Sequence, residues 1–480
     1  MVLKSKFVKG TFWSIFGQMF SLILGLVVNI WLAKFLMPSA FGQIAIIMFF
    51  ISIFTIFTEG GLSGALIRRP EVNSLEYSTV FLFNVLISIV GYLLIFAIAP
   101  MIAEYYSNLE LIPLLRATSV VLIINAFQFN QNTRMIVEMK FKARALCKIF
   151  SVILGAICGI LLAYLGYGIW SLVYLNIVGA VFYTIFITAI NFKKVSLRFS
   201  INAFKELYSF GLNTTLASLI NVFFDNIYQL LLAKYFSFTQ TGFYYQAKKI
   251  QDVPGGIINT LSQSVFFSAL AKLQNDKDFF NKVFLTITRY SLITLGLISI
   301  LIYSYSKLVI LLLFGNEWLG SVFYMQVLTF ASLFYMQELV NRIVFKIFNK
   351  TKQILYLEML KKVIQIFSIF VGLINKSLEL LLVGYIVVSF ISYVINVYFS
   401  SRILNSNFWS EVRLLVSFLI VFSFMILVDY LLMNYFDFGK PLSLIWILPI
   451  SVTYLGVCEL LRLTKVKEDL KIFKSIFSVI

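Results

Sequence analysis

Apolar stretches of about twenty residues recur along almost the whole chain, and this recurrence limits the fold more than any other feature. The hydrocarbon core of a bilayer takes about 20 mostly apolar residues per helix. Read between charges and turn residues, the chain offers about fourteen such segments: roughly 10–33, 42–58, 78–100, 111–133, 146–165, 169–190, 207–232, 242–270, 283–303, 321–345, 353–374, 380–400, 412–432 and 443–461. Lipid supplies no partners for backbone N–H and C=O groups, so spans of this length have to be helical. The expected fold class is therefore all-α, a polytopic membrane protein. Composition agrees, since 60% apolar residues, 12% charged residues and 51 phenylalanines lie outside the usage of a soluble domain. The first segment follows Lys4, Lys6 and Lys9 as a signal peptide would, but its apolar run is too long and a second span follows at once. It is expected to stay in the membrane.

Loop charge sets the orientation. With the N-terminus inside, one set of loops collects 27 of the 39 basic residues, among them Arg68, Arg69, Arg134, Lys140, Lys142, Arg144, Lys148, Lys193, Lys194, Lys205, Lys350, Arg462, Lys465, Lys467, Lys471 and Lys474. The opposite set holds only Lys34, Arg116, Lys234, Lys307, Lys376 and Lys440. Cytoplasmic loops concentrate lysine and arginine, so this asymmetry places both ends of the sequence in the cytoplasm and requires an even number of spans.

A repeat organises the helices. LAKFLMPSAFG at 32–42 returns as LAKYFSFTQTG at 232–242, so Leu32, Ala33, Lys34, Phe35 and Gly42 come back as Leu232, Ala233, Lys234, Tyr235 and Gly242. Six spans separate the copies, and an even number preserves direction through the membrane. Two parallel lobes around a central cleft are expected, spans 1–6 in residues 1–206 and spans 7–12 in 207–403, with spans 13 and 14 and a basic tail in 404–480. Lys34 and Lys234 sit where a helix reaches the headgroups, and snorkelling accounts for them without a further role.

Six basic residues are left at membrane depth: Lys248, Lys249, Arg289, Arg342, Lys361 and Lys362. With them lie Asp225, Asp252, Glu338, Glu358, Asp429 and Glu459. Each costs about 2.5–3.5 kcal/mol at a helix centre, so a protein-lined, hydrated cavity is the expected setting. The bases all fall in spans 8–11, which makes the second lobe the charged wall. Glu338 with Arg342 and Glu358 with Lys362 are spaced i, i+4 and can equally be ion pairs that only stabilise their helices. Asp252 reaches Lys248 or Lys249 but not both fully, which leaves a lysine for a ligand. Surplus cation suits a phosphate or diphosphate, and Tyr244, Tyr245, Gln246, Asn213, Asn221 and Asn226 add the aromatic and amide groups that sugars use. Asp225, mid-span, is expected either to bind a cation or proton or to pair with those lysines.

Several chemistries are excluded or disfavoured. Histidine is absent, which removes the commonest general base and metal ligand. Cys147, Cys158 and Cys458 lack metal-like spacing and read as small hydrophobes. The chain has no GxxxxGK[ST]. No enzyme activity, metal or cofactor is expected, and an ion or substrate gradient would supply the energy. The net charge of +18 belongs to the loops rather than to nucleic-acid binding.

Short motifs add a resemblance. LMPSAFG at 36–42 resembles the L-x-P-x-x-F-G turn between the first two helices of bacterial polysaccharide exporters, and STVFLFN at 78–84 looks like the opening of their third helix. MKFKARA at 139–145, GYGIWSLV at 166–173 and GFYYQAKKIQDVP at 242–254 are similar to the colanic acid and teichuronic acid exporter branch. The resemblance covers most of residues 1–275, and beyond that only hydropathy agrees. It implies a MATE-like member of the multidrug/oligosaccharidyl-lipid/polysaccharide exporter superfamily. Such a protein would be a lipopolysaccharide or exopolysaccharide flippase, moving undecaprenyl-diphosphate-linked oligosaccharide across the bacterial cytoplasmic membrane by alternating access.

Carried over, the resemblance makes Lys248, Lys249 and then Arg342 the head-group contacts, with Tyr244, Tyr245, Gln246 and Asn221 lining the cavity. Asp225, Asp252 and Glu338 would pair with these bases or couple transport to H+ or Na+. The implied partners are a lipid-linked oligosaccharide, membrane lipids, and a polysaccharide polymerase with its glycosyltransferases, around a monomeric transporter. The nearest alternative is a small-molecule or drug antiporter, which would favour an acidic cavity. A membrane-bound polysaccharide polymerase would need a larger external loop than the longest connections here, about 15–20 residues.

Overall fold

The computed structural model describes residues 2–69, 72–191, 198–435, 445–461 and 463, and these form seventeen α-helices and no strand. The loop cations Lys193, Lys194, Lys440, Arg462, Lys465, Lys467, Lys471 and Lys474 lie outside the described residues, as does the side chain of Asn213. By density of contacts the chain divides into two compact units, Met1–Gln246 and Ala247–Ile480. This cut, between Gln246 and Ala247, differs from the six-helix lobes expected from the sequence repeat.

The first unit holds α1 (Val2–Ala33), α2 (Pro38–Glu59), α3 (Leu62–Arg68), α4 (Ser74–Tyr105), α5 (Leu111–Val137), α6 (Phe141–Tyr164), α7 (Trp170–Ile190), α8 (Ile201–Tyr235) and the start of α9 (Phe238–Leu261). Local signals set the ends. Pro38 opens α2, where its missing N–H costs nothing, and Gly60 closes α2 in the left-handed region at φ 56°. Asn73 and Glu76 form a reciprocal capping box on α4, and the Ser200 hydroxyl accepts from the Ala203 N–H to start α8. Helix α1 packs on α6, α6 on α7, α7 on α5 and α5 on α4, while α2 lies against α4, α5 and α8. The α6–α7 contact is close because Gly155 and Gly159 form a GxxxG face. A Cβ on Gly155 would come 2.8 Å from the Leu175 carbonyl oxygen and 3.1 Å from the Gly179 Cα. The two copies of the sequence repeat also meet inside this unit, at the starts of α2 and α9.

The second unit contains the rest of α9, a π-helical turn at Ser262–Phe266, α10 (Phe267–Ala271), α11 (Lys277–Ser304), α12 (Ser306–Leu313), a 3-10 turn at Asn316–Trp318, α13 (Ser321–Ile347), α14 (Thr351–Ile374), α15 (Leu378–Leu404), α16 (Phe408–Tyr435) and α17 (Ile447–Leu460). Helix α13 is its axis: 19 of its 27 residues are buried, and α11, α12, α14 and α15 all pack on it. Helices α16 and α17 dock on α11 through Leu292, Phe418, Phe422 and Tyr454, and the Tyr454 hydroxyl donates to the Ile293 carbonyl at 2.9 Å.

Among the described residues ten helices are long and apolar enough to cross a membrane, so the chain is a multi-pass membrane protein. The other four expected spans correspond to α9, α13, α14 and α17. Helix α17 has 14 residues. The other three, at 24, 27 and 24 residues, fall short on apolarity rather than length. They are the helices that carry Lys248 and Lys249, Glu338 and Arg342, and Lys361 and Lys362. The expected span at 242–270 is interrupted by the π turn, and α3 and α12 are short helices that the apolar pattern did not separate from their neighbours.

Candidate functional site: a buried charge cluster on α13, α14 and α15

Glu338 lies at the middle of the second unit's polar interior and is 1% exposed. Its carboxylate accepts from Arg342 one turn later at 2.8 Å, from Lys361 on α14 at 3.0 and 3.3 Å, and from the Ser392 hydroxyl on α15 at 2.9 Å. Arg342 in turn forms an ion pair with Glu358 on α14. The Lys361 ammonium also sits 5.4 Å from the centre of the Tyr335 ring, a cation–π distance. One carboxylate thus ties three helices together, and the buried charge is paired as burial demands. Lys362, next to Lys361, is also buried.

A second polar ladder runs along the neighbouring face of α13. Gln337 and Ser291 of α11 exchange hydrogen bonds at 3.1 and 3.3 Å. Asn341 donates to Glu411 at 3.2 Å and accepts from Ser400 at 2.5 Å. Helix α15 supports this with Ser389, Ser392, Asn396 and Ser400, spaced three or four residues apart and all buried. Glu411, 2% exposed, falls one residue before the expected span at 412 and so escaped the inventory of intramembrane acids. The helical spacing of serines and asparagines on α15 was the signal that could have found this ladder.

The α9 residues lie apart from Glu338 in sequence but in the same unit. Lys248 and Lys249 are half-buried, Asp252 is exposed, and all three side chains are engaged in contacts, so the lysine expected to be left over is not bare. Gln251 receives a hydrogen bond from Thr329 at 3.3 Å, which fastens α9 to α13. Helices α9, α13 and α14 carry seven bases, Lys248, Lys249, Arg342, Lys346, Lys352, Lys361 and Lys362, against three acids, Asp252, Glu338 and Glu358. By formal charge these three helices are therefore positive.

In the first unit, Tyr244 is 2% exposed and stacks on Tyr228 at 6.4 Å, which makes it part of the packing. Tyr245 is half-buried with its ring 6.4 Å from Phe41. Gln246 is fully buried, and neither its amide nitrogen nor its oxygen finds a hydrogen-bond partner. Asn221 and Asp225, one turn apart on α8, are exposed, and Asn226 is turned onto the Val222 carbonyl at 2.8 Å. The repeated lysines differ: Lys34 lies over the Trp31 ring of its own helix, whereas Lys234 crosses to α4, donating to the Tyr105 carbonyl and covering that residue's ring. At the other end of α4, Arg69 bridges Glu76 and Glu206.

Comparison with known proteins gives these helices a context. The sequence pattern of the family described as "Polysaccharide biosynthesis protein" matches residues 31–323. The chain is 25% identical over 284 residues to "Lipopolysaccharide biosynthesis protein WzxC" of Escherichia coli (strain K12), covering 58% of this chain and 57% of that protein. It is 22% identical over 287 residues to "Succinoglycan biosynthesis transport protein ExoT" of Rhizobium meliloti (strain 1021), covering 60% and 58%. The chain thus spans a little under three fifths of the length of these curated relatives. Among solved structures it resembles "Lipid II flippase MurJ, inward closed conformation", with a TM-score of 0.75 and 18% identity over 93% of this chain and 98% of the other. It also resembles an inward-facing multidrug resistance MATE family transporter of the MOP superfamily, with a TM-score of 0.63 and 16% identity over 80% and 94%. At these identities the structural likeness shows the fold, which is MATE-like as expected and also MurJ-like.

Proposed function

The chain belongs to the polysaccharide biosynthesis protein family, and from that membership we propose that it is a flippase for lipid-linked oligosaccharide. It carries a polysaccharide repeat unit on a prenyl diphosphate across the bacterial cytoplasmic membrane by alternating access, with both ends of the sequence in the cytoplasm. The observation that carries this reading is the positive excess on α9, α13 and α14, three helices whose charge keeps them from being ordinary lipid-facing spans. A diphosphate is the head group that such an excess suits, through charge-assisted hydrogen bonds.

In this reading Lys248 and Lys249 contact the diphosphate. Glu338 and Glu358 hold Arg342 and Lys361 in fixed orientations, which preorganises the cationic wall. Tyr245, Asn221 and Asp225 are the candidate sugar contacts, whereas the packed Tyr244 supports its neighbours. The likeness to a succinoglycan biosynthesis transport protein supports transport rather than catalysis, and the typically cationic cargo of a drug antiporter would be repelled by the same excess. An ion gradient drives the cycle, and the polymerase and glycosyltransferases of one glycan pathway are its partners. The test is translocation of a defined prenyl-diphosphate oligosaccharide in proteoliposomes, with and without an imposed proton or sodium gradient. Transport of cationic dyes without transport of that lipid would overturn the reading.

A further inference from the structure

We propose that Asp429, Ser304 and Tyr305 form a binding site for a small hard cation of the sodium class at the contact of α11 with α16. Asp429 is 3% exposed and lies within an apolar helix. The polar groups acting on its carboxylate are the hydroxyls of Ser304 and Tyr305, and no cationic side chain does so among the described residues; the nearby Lys307 is exposed. Its Oδ1, the Ser304 Oγ and the Tyr305 hydroxyl are all buried without a well-formed hydrogen bond, and Tyr305 is itself only 2% exposed.

Buried polar atoms that converge with poor hydrogen-bond geometry recover only part of their desolvation, which makes them functional candidates in a membrane protein. The chemistry of the set is specific. One carboxylate and two hydroxyl oxygens are hard ligands, which suit alkali and alkaline-earth cations and not soft metals. Ser304 ends α11 with Tyr305 as its cap, a helix end that favours cations, and the same Tyr305 precedes the start of α12, so the two helix ends offset each other and the carboxylate supplies the charge. The neighbouring Ser306 Oγ, also buried and without a hydrogen bond, stands two residues away at the start of α12.

The site does not depend on the identity of the transported lipid, so it is tested by binding rather than by transport. The purified chain in detergent is heated in choline chloride with sodium chloride exchanged in at constant ionic strength. We expect a saturable, sodium-specific rise in Tm of several degrees. Asp429→Asn removes it, and Tyr305→Phe and Ser304→Ala shift the midpoint of the titration several-fold to higher sodium. An equal response in Asp429→Asn, or no saturable response in the unaltered chain, overturns the proposal. Should Asp429→Asn not fold, an unchanged sodium midpoint in both Tyr305→Phe and Ser304→Ala overturns it equally.

Discussion

Gly42 and Gly242, 200 positions apart in the sequence, are packed against each other's helix start: a Cβ on Gly42 would strike the Phe238 carbonyl and one on Gly242 the Pro38 carbonyl. The contact is reciprocal, as in a two-fold interface where each partner presents the same surface. Alanine at either position forces the two helix starts apart, and overpacking of this kind costs about 1–3 kcal/mol. Gly42→Ala and Gly242→Ala are expected to lower the unfolding temperature by similar amounts. The double variant should cost less than the sum, because the first substitution already opens the contact. Additive losses would show that the two glycines act separately.

The repeat was legible because it involves residue identities at a fixed offset. Its physical cause was not, since LAK and a glycine eight residues later say nothing about which backbone approaches which. The lysines make the same point. Snorkelling was the expectation for both, and it describes Lys34 over Trp31, whereas Lys234 ties α8 to the last turn of α4. Lys234→Met is therefore expected to destabilise the chain by about 1 kcal/mol, given the value of a charge-assisted bond partly open to water, while Lys34→Met leaves it unchanged. Thermal unfolding of the two variants side by side decides this, and equal behaviour would remove the distinction.

Glu338 should be the most sensitive acid in the second unit. Removing one member of a buried pair costs about 3–5 kcal/mol because the partner is left uncompensated, and here Arg342, Lys361 and Ser392 all lose an acceptor. Glu338→Ala is expected to reduce folded yield far more than Glu358→Ala, whose carboxylate is 22% exposed and serves Arg342 alone among the ion pairs described. A double-mutant cycle between Glu338 and Lys361 should show coupling across α13 and α14. No coupling would mean that the pair is incidental to the packing.

Span positions were read closely because hydropathy is a property of whole segments; α5, α7, α13 and α14 begin or end within a few residues of the expected limits. The candidate site was legible only in part. Charge at depth pointed to Glu338, Arg342 and Lys361, and the i, i+4 spacing pointed to one of the pairs formed. Sequence spacing within one helix could not reveal that Glu358 serves Arg342 from another helix, or that Ser392 completes the shell. Glu411 was missed because a boundary drawn one residue late turned a buried acid into a headgroup residue.

Helix α15 offers a further check on the polar ladder. Ser400 and Asn341 hold each other at 2.5 Å, and Asn341 is the hydrogen-bond donor to Glu411. Asn341→Leu leaves Glu411 buried without that donor, a loss of about 1–3 kcal/mol or more for a charged group. Combining it with Glu411→Leu should recover part of the lost stability, since both polar partners are then gone. Failure of the second substitution to recover anything would indicate that Glu411 has a role beyond this pair.

The central claim is that the cations of α9, together with those of α13 and α14, hold an anionic head group. Its most direct test is translocation of a prenyl-diphosphate oligosaccharide in proteoliposomes by the unaltered chain and by Lys248→Ala/Lys249→Ala, matched for inserted and folded protein. We expect the unaltered chain to translocate the lipid and the double variant to lose at least tenfold in rate. Translocation at the full rate by the double variant would contradict the account.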